Sequence, residues 1–288
     1  VRILVTGAGG QLGRELVRMA PAGAELVARD RQALDVGDRT AVLEGLRALR
    51  PAVVVNAAAY TAVDKAESDP EAASRGNADG PGFLAEGCRE VGARLVHVST
   101  DFVFDGATSR PYRPDDPPAP LGVYGATKLE GERRVLREIP NRSLIVRTAW
   151  VYSSHGRNFV LTMIRLMRER GTVRVVSDQV GTPTSARELA IALWDLMAAN
   201  ATGVHHWTDA GVASWYDLAE AVRRLGQTRG LVPSNARVVP ISTSEYPTPA
   251  HRPACSVLDK SSTWSILGRT SRHWLDTLDE VLAECAHA

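Results

Sequence analysis

The chain has 288 residues, 44% of them apolar, enough to bury one or two sizeable cores without disulfide or metal staples. Lys and Arg number 34 against 33 Asp and Glu, a formal net charge of +1, so the overall field gives no reason to expect nucleic acid or an anionic membrane as a partner. Three widely spaced cysteines, Cys88, Cys255 and Cys285, form no C-x-x-C pattern, which argues against a disulfide framework or a zinc site and for a reducing, cytoplasmic setting.

The first strand-like residues begin at Arg2, so no signal peptide is expected, and no apolar run approaches the roughly 20 residues that cross a bilayer. Short runs rich in Val, Ile and Leu recur at 2–6, 25–28, 52–56, 94–99 and 143–148, separated by helical spacing such as 39–49 and 71–91. Unbroken apolar strands alternating with helices predict a doubly wound α/β domain, a parallel sheet covered on both faces. After Trp150 the rhythm loosens. Helical stretches at 158–170, 185–198, 214–226 and 271–285 alternate with strand candidates at 173–176, 204–207 and 237–241, with joints at Pro233, Pro240, Pro247, Pro249 and Pro253. Residues 1–150 therefore read as the α/β domain and 151–288 as a smaller mixed domain, with some segments free to return to the first; without a linker, the two are expected to share a cleft.

Four stretches carry chemistry. In VTGAGGQLGREL, Gly7, Gly10 and Gly13 recur every three residues between the first strand and its helix, where the backbone can approach a pyrophosphate resting on the helix N-terminus. After the second strand, in ARDRQALDV, Asp30 suits the ribose hydroxyls of NADH while Arg29 and Arg31 suit the 2′-phosphate of NADPH; the preference stays open. Asp35 is either an adenine contact or a solvated carboxylate. The small residues Ala57, Ala58 and Ala59 end the third strand, where a flat cofactor can lie. In VYGATK, Tyr124 and Lys128 stand four apart, which on a helix over 122–137 places them on one face. A phenol with pKa about 10 is a poor acid–base catalyst at neutral pH, and a nearby ammonium lowers it toward the working range.

GAGGQLG, NAAAYTAVDKAE, VHVSTDFVFDG, VYGATKLEGE, RTAWVY, DQVGTPT and RPACSVLD, met in this order along nearly the whole chain, together resemble the extended short-chain dehydrogenase/reductase family, and within it the reductases of dTDP-linked keto-sugars. The resemblance implies a Rossmann-type fold and a reduced nicotinamide, NADPH or NADH, that delivers hydride to the 4-keto carbon of a dTDP-6-deoxy-hexulose to give dTDP-L-rhamnose. It implies Tyr124 as proton donor, Lys128 as the group that holds the nicotinamide ribose and tunes Tyr124, and Thr100 as the hydroxyl that orients the carbonyl. It further places Gly10, Gln11 and Leu12 at the pyrophosphate, Asp35 and Val36 at the adenine, and Ala59, Tyr60 and Thr61 along the inner cofactor wall. Asp101 and Phe102 would face the sugar. Trp150 matches an aromatic residue at the sugar and equally suits a seam between domains; Asn158, Gln179 and Arg252 lie in loops that can face the nucleotide or serve structural hydrogen bonds.

Three positions depart from the pattern. Phe102 stands where a tyrosine is expected, and Cys255 where an asparagine is. Some members bind Mg²⁺ at a dimer contact; Glu15 and Glu188 match two of its carboxylates, but Ala192 removes a third, so metal-dependent dimerisation is not expected. The chain is read as a monomer or homodimer. A 4,6-dehydratase is disfavoured because Phe102 replaces the glutamate of its Thr-Asp-Glu series. Two alternatives remain: a reductase of another dTDP-keto-sugar, of the dihydrostreptose type, and a non-catalytic, cofactor-binding regulatory subunit of a methionine adenosyltransferase.

Overall fold

Alternating apolar strands and helices build the first half: β1 (Arg2–Thr6), α1 (Gln11–Arg18), β2 (Glu25–Arg29), α2 (Arg39–Leu49), β3 (Val53–Asn56), α3 (Val63–Ala66), α4 (Pro70–Ser74), α5 (Gly80–Val91), β4 (Arg94–Thr100), α6 (Val123–Glu138) and β5 (Ser143–Thr148). The second half contains β6 (Val151–Tyr152), α7 (Phe159–Arg170), β7 (Thr172–Val176), β8 (Val180–Gly181), β9 (Thr184–Ser185), α8 (Ala186–Ala198), β10 (Gly203–His206), β11 (Ala213–Ser214), α9 (Trp215–Thr228), β12 (Arg237–Ile241), α10 (Ser261–Leu267) and α11 (Trp274–His287). The computed structural model describes residues 1–287.

The main sheet has the order β10-β5-β4-β3-β1-β2, and every neighbouring pair in it is parallel. Its strands are apolar on both faces because both are covered. Leu4, Val54, Leu95 and Ile145 pack with Val42, Leu46 and Leu84 of α2 and α5. On the opposite face, Ile3, Val5, Val55, Val96 and Val146 pack with Leu16 of α1 and Leu189, Leu193 and Leu196 of α8. Each such side chain contributes about 1.5–3 kcal/mol on burial. The edge strand β2 is protected by charge: Arg2 and Glu25 form an exposed ion pair beside it.

Two stretches of the second half, α8 and β10, thus complete the first sheet, β10 alongside β5. A second core joins Met163 and Met167 of α7, Leu218 and Val222 of α9, and Leu278 and Leu282 of α11 around Val173 and Val175. Pro240, expected at a joint, lies instead within β12, opposite Val175 of β7. It is tolerated because this sheet has only two strands, leaving an edge that needs no N–H.

The helical stretch 71–91 is not one regular helix. Between α4 and α5, residues Arg75–Asp79 form a π-turn, centred on buried Asn77. The Asn77 side chain accepts from the N–H of Tyr60 at 2.9 Å and donates to the Tyr60 carbonyl at 3.0 Å. The widened turn presents this amide to the loop after β3, a use typical of π-bulges.

Candidate active site

The cofactor cleft begins where β1 ends. Gly7 takes a left-handed φ of +67°, and the N–H of Gly10 closes the turn onto the Gly7 carbonyl at 3.0 Å. A Cβ on Gly9 or Gly10 would find no protein atom nearer than 3.5 and 3.3 Å respectively, so it would fill the cleft these residues line. Gly13 is bare for another reason: its Cβ would stand 2.2 Å from the Gly7 carbonyl oxygen. The cleft, of about 660 Å³, runs from Gly7 and Gly10 past Asp30, Asp35 and Val36 to Ala58, Ala59 and Tyr60. These residues, drawn from the ends of β1, β2 and β3, form a cradle without side chains at the turn and an acidic and basic rim at the far end, which fits a dinucleotide.

The floor of the cleft is locked by Asn56. Its carbonyl oxygen accepts from the Thr6 hydroxyl at 2.7 Å and from the Ala58 N–H at 3.1 Å, and its amide donates to His97 Nδ1 at 3.1 Å. That donor makes His97 Nδ1 an acceptor, and burial holds the ring neutral, its pKa well below the usual value, with Lys128 acting in the same direction. At the far end, the Asp30 carboxylate accepts from the N–H groups of Gln32 and Ala33, while Arg31 lines the cleft. Asp35 is neither free nor simply solvated: it accepts from Gly37 N–H at 3.0 Å and pairs with Arg75 at 2.6 Å. Arg75, from the π-turn, also lines the cleft, and no pattern in the sequence singled it out.

Besides Tyr124 and Lys128, which lie by β4 outside this lining, four of the expected cofactor residues do not line the cleft through side chains. Gln11 is engaged across the seam, its carbonyl oxygen accepting from Ser153 at 3.0 Å and Asn158 at 2.8 Å. Leu12 packs against the core beneath α1. Gly13 is the packing glycine described above, and Thr61 is exposed, its carbonyl accepting from Val63 N–H.

The catalytic candidates converge at the carboxyl end of β4. Thr100 is buried and its hydroxyl accepts from Phe102 N–H at 3.2 Å, capping the 3₁₀ turn Asp101–Val103. The same hydroxyl donates to Asp101 at 3.0 Å and lies near enough to the Tyr124 phenol to act on its pKa. Burial pushes the Asp101 carboxyl up to about 6, against the lowering influence of the Ser256 and Thr100 hydroxyls. Phe102 sets its ring against Tyr124 in an edge-on contact, centroids 5.5 Å apart and planes at 80°.

Tyr124 and Lys128 share a face of α6 as their spacing predicts, but the expected electrostatics are reversed. The phenol is pushed up to about 12, first by burial and further by the Asp101 charge, with the Thr100 hydroxyl opposing. Lys128 is itself buried, its ammonium donating to the Val98 carbonyl at 2.6 Å. Burial pushes it down to about 8, while Glu132 acts to raise it. In a low-dielectric site the cost of exposing charge to poor solvation outweighs the attraction that the sequence argument relied on.

The expected sugar and nucleotide residues divide. Trp150, in a left-handed conformation with φ 49°, stacks on Trp215 at 3.5 Å with planes 6° apart, which places it in the seam at the end of β5. Asn158 is consumed structurally: it caps α7 by accepting from Leu161 N–H and donates to Gln11 and Ser153, so its side chain is not available to a nucleotide. Gln179 is buried and donates to Thr243 at 3.1 Å. Arg252 forms a two-pronged pair with Asp64 at 3.0 and 2.8 Å, which fastens the strap 248–258 to α3 and holds the Asp64 carboxyl below the usual carboxylate range. Glu15 and Glu188, the two matches to a metal site, face Arg18 at 2.8 Å and Arg272 at 3.4 Å respectively, and Ala192 is buried in the core between α8 and the sheet.

Sequence reasoning missed Asn77, Arg75, Glu67 and Ser256. Glu67 and Ser256 lie inside strings it did single out, AVDKAES and RPACS, but their partners are far along the chain.

A dinucleotide-shaped cleft at the ends of β1, β2 and β3 and the Thr100, Tyr124 and Lys128 group by the neighbouring β4 lie at the carboxyl edge of one parallel sheet, the place where open α/β sheets bind ligands; this defines an NAD(P)-dependent reductase of the extended short-chain class. The comparisons are narrower. The family model described as "RmlD substrate binding domain" matches residues 1–287, and the chain belongs to that family. It is 47% identical over 287 residues to a dTDP-4-dehydrorhamnose reductase of Streptomyces griseus, covering 97% of this chain and 92% of the relative. Among solved structures it resembles a dTDP-4-dehydrorhamnose reductase from Clostridium acetobutylicum, with a TM-score of 0.93, 40% identity and 99% coverage of both chains. A dTDP-4-dehydrorhamnose reductase from Bacillus anthracis, solved in complex with NADP, gives a TM-score of 0.91 at 34% identity, covering 98% of this chain and 99% of that one.

Proposed function

We propose that the chain reduces the 4-keto group of dTDP-4-dehydro-6-deoxy-L-mannose (dTDP-4-dehydrorhamnose) to give dTDP-L-rhamnose, with NADPH or NADH as reductant, and that it works in the cytoplasm. The observation that carries the reading is the meeting of Thr100, Tyr124 and Asp101 at the end of β4, the strand next to β3, whose end lines the cofactor cleft. Among the described residues no helix is long and apolar enough to cross a membrane. Residues 1–150 hold the cofactor and 151–288 mainly the dTDP-sugar, with Trp150, Gln179 and the Arg252 strap bordering it.

The nicotinamide, when bound, supplies the hydride. The chain's own residues manage the charge that then builds on the carbonyl oxygen. Tyr124, kept protonated by burial, donates its phenolic proton to that oxygen, and Thr100 orients the carbonyl beside it. Donors preplaced where charge develops stabilise the transition state more than the ground state. Lys128, charged below about pH 8, offsets the phenolate left behind and holds the nicotinamide ribose. Phe102 gives a second reading some support: with no hydroxyl at this place, another dTDP-linked 4-keto-deoxysugar is the alternative substrate.

The test mixes the protein with NADPH and dTDP-4-keto-6-deoxy-L-lyxo-hexulose and follows the loss of nicotinamide absorbance. Tyr124→Phe is expected nearly to abolish turnover while cofactor affinity stays within a few-fold. No oxidation by the unaltered protein overturns the substrate assignment, and persistent turnover in Tyr124→Phe overturns the proton donor.

A further inference from the structure

We infer that Glu67 is a positioning residue for Tyr124, holding the first turn of α6 by a carboxylate cap reached from the loop after α3. The inference rests on the reading of Tyr124 as proton donor. The first N–H groups of a helix have no partner within it, and Gly122, which precedes α6, has no side chain to offer them. Glu67 meets the need: its Oε1 accepts from the N–H of Val123, the residue next to Tyr124, at 2.9 Å. The same oxygen lies 2.5 Å from where a Cβ on Gly122 would stand. The carboxylate therefore occupies the place of the missing side chain, and positions 67 and 122 form a matched pair. A negative group is favoured at this end of the helix by its aligned peptide dipoles.

Glu67 is itself held in place. It follows directly on α3, which Arg252 clamps through Asp64. On the other side of Tyr124 the turn is pressed against residues 101–103, where Phe102 packs on the phenol ring. Tyr124 is thus located by two contacts, one on each side. With Glu67 truncated, the Val123 N–H has only water, the first turn is free to fray, and the phenol loses its register with Thr100. This also explains the length of the NAAAYTAVDKAE string: three of its alanines, Ala57, Ala58 and Ala59, line the cofactor cleft, and its acids serve the strap and the catalytic helix.

The experiment compares Glu67→Ala with Glu67→Gln, whose amide oxygen still accepts from Val123. Glu67→Ala is expected to lower kcat by about 10- to 100-fold, the scale of a displacement of about 1 Å between reacting groups, with KM for NADPH and for the keto-sugar within a few-fold. Glu67→Gln should recover most of the loss. Unchanged kcat in Glu67→Ala, or an equal loss in Glu67→Gln, overturns the inference. Should Glu67→Ala fail to fold, Gly122→Ala tests the same contact in a chain that keeps its carboxylate: it should lower kcat without raising KM, and Glu67→Gln added to it should cost little more, because the contact is already broken. Full kcat in Gly122→Ala overturns the inference. Tyr124→Phe runs alongside. If it turns over, the proton-donor reading falls and this inference with it; if it is inactive while Glu67→Ala keeps full kcat, this inference alone falls.

Discussion

Gly125 offers the most direct perturbation of the distance between Tyr124 and Thr100. Here α6 crosses the 3₁₀ turn 101–103 so closely that a Cβ would lie 2.1 Å from the Phe102 carbonyl oxygen and 3.0 Å from Pro120 Cβ. Ordinary contact begins near 3.4 Å, and the clashing atom is backbone, which cannot swing aside. Gly125→Ala must therefore part the helix from the turn by about 1 Å, a displacement worth up to about 100-fold in rate, or about 2.7 kcal/mol of transition-state stabilisation. The cost in stability is smaller, about 1–3 kcal/mol for overpacking, offset by about 0.5–1 kcal/mol from removing a glycine inside a helix. The assay is kcat/KM for the keto-sugar, with NADPH affinity read by fluorescence quenching and folding by thermal melting. NADPH affinity should hold within a few-fold, because the residues lining the cleft lie outside α6 and Lys128 supplies only the ribose contact. If kcat/KM stays within about twofold of the unaltered protein, the turn yields without moving Tyr124 and the reasoning is refuted; if NADPH affinity falls in parallel, the damage is global rather than local.

The buried groups set the pH behaviour. With Lys128 pushed down to about 8 and Tyr124 up to about 12, kcat/KM should fall as pH rises through about 8, the Lys128 limb, with no limb from Tyr124 below that of Lys128. Glu132→Gln should move this limb to lower pH, since Glu132 acts to raise Lys128, and should destabilise the fold by about 3–5 kcal/mol in urea titrations, because it leaves the buried Arg147 without its carboxylate partner. Asp101 and Asp209 are raised from 3.8 to about 6 and about 7 by burial. The folded chain then keeps protons that the unfolded chain has released, so these groups make stability fall as pH rises from about 4 to about 7; Asp209→Asn should flatten that slope, and an unchanged slope would remove Asp209 as its source.

Much of the fold was legible because its cause is local. Strands buried on both faces must be apolar without interruption, and the runs 2–6 and 143–148 are strands over those same residues. What the pattern of a strand does not carry is its destination: 204–207 reads as a short strand wherever it sits, and only the pairing of Gly203–His206 with β5 shows where it belongs. The π-turn was illegible for the same reason. Residues 71–91 have good helical spacing, and the extra residue per turn is imposed by hydrogen bonds from Asn77 to Tyr60, 17 positions away. Asn158, Arg252 and Asp35 have the right chemistry for ligands, yet which partner each has taken, α7, Asp64 and Arg75, depends on packing that spacing does not encode.

The site shows where residue type and environment part company. Tyr124 and Lys128 stand where their spacing places them, and a rule for solvated charges says that the lysine should acidify the tyrosine. Lys128 is instead buried and Tyr124 half-buried, and loss of water favours the neutral form of each. The resulting order, Asp101 at about 6, Lys128 at about 8 and Tyr124 at about 12, leaves at neutral pH a mostly ionised carboxylate, a mostly charged ammonium and a protonated phenol. The proposed role of Tyr124 requires that state, since a phenol that gives a proton to the alkoxide must first hold one. Oxidation of the alcohol would need the phenolate instead, and the burial that protects the proton opposes it. On the proposed role of Tyr124, its burial among Phe102, Thr100 and the first turn of α6 keeps the phenol in the protonated form from which reduction starts.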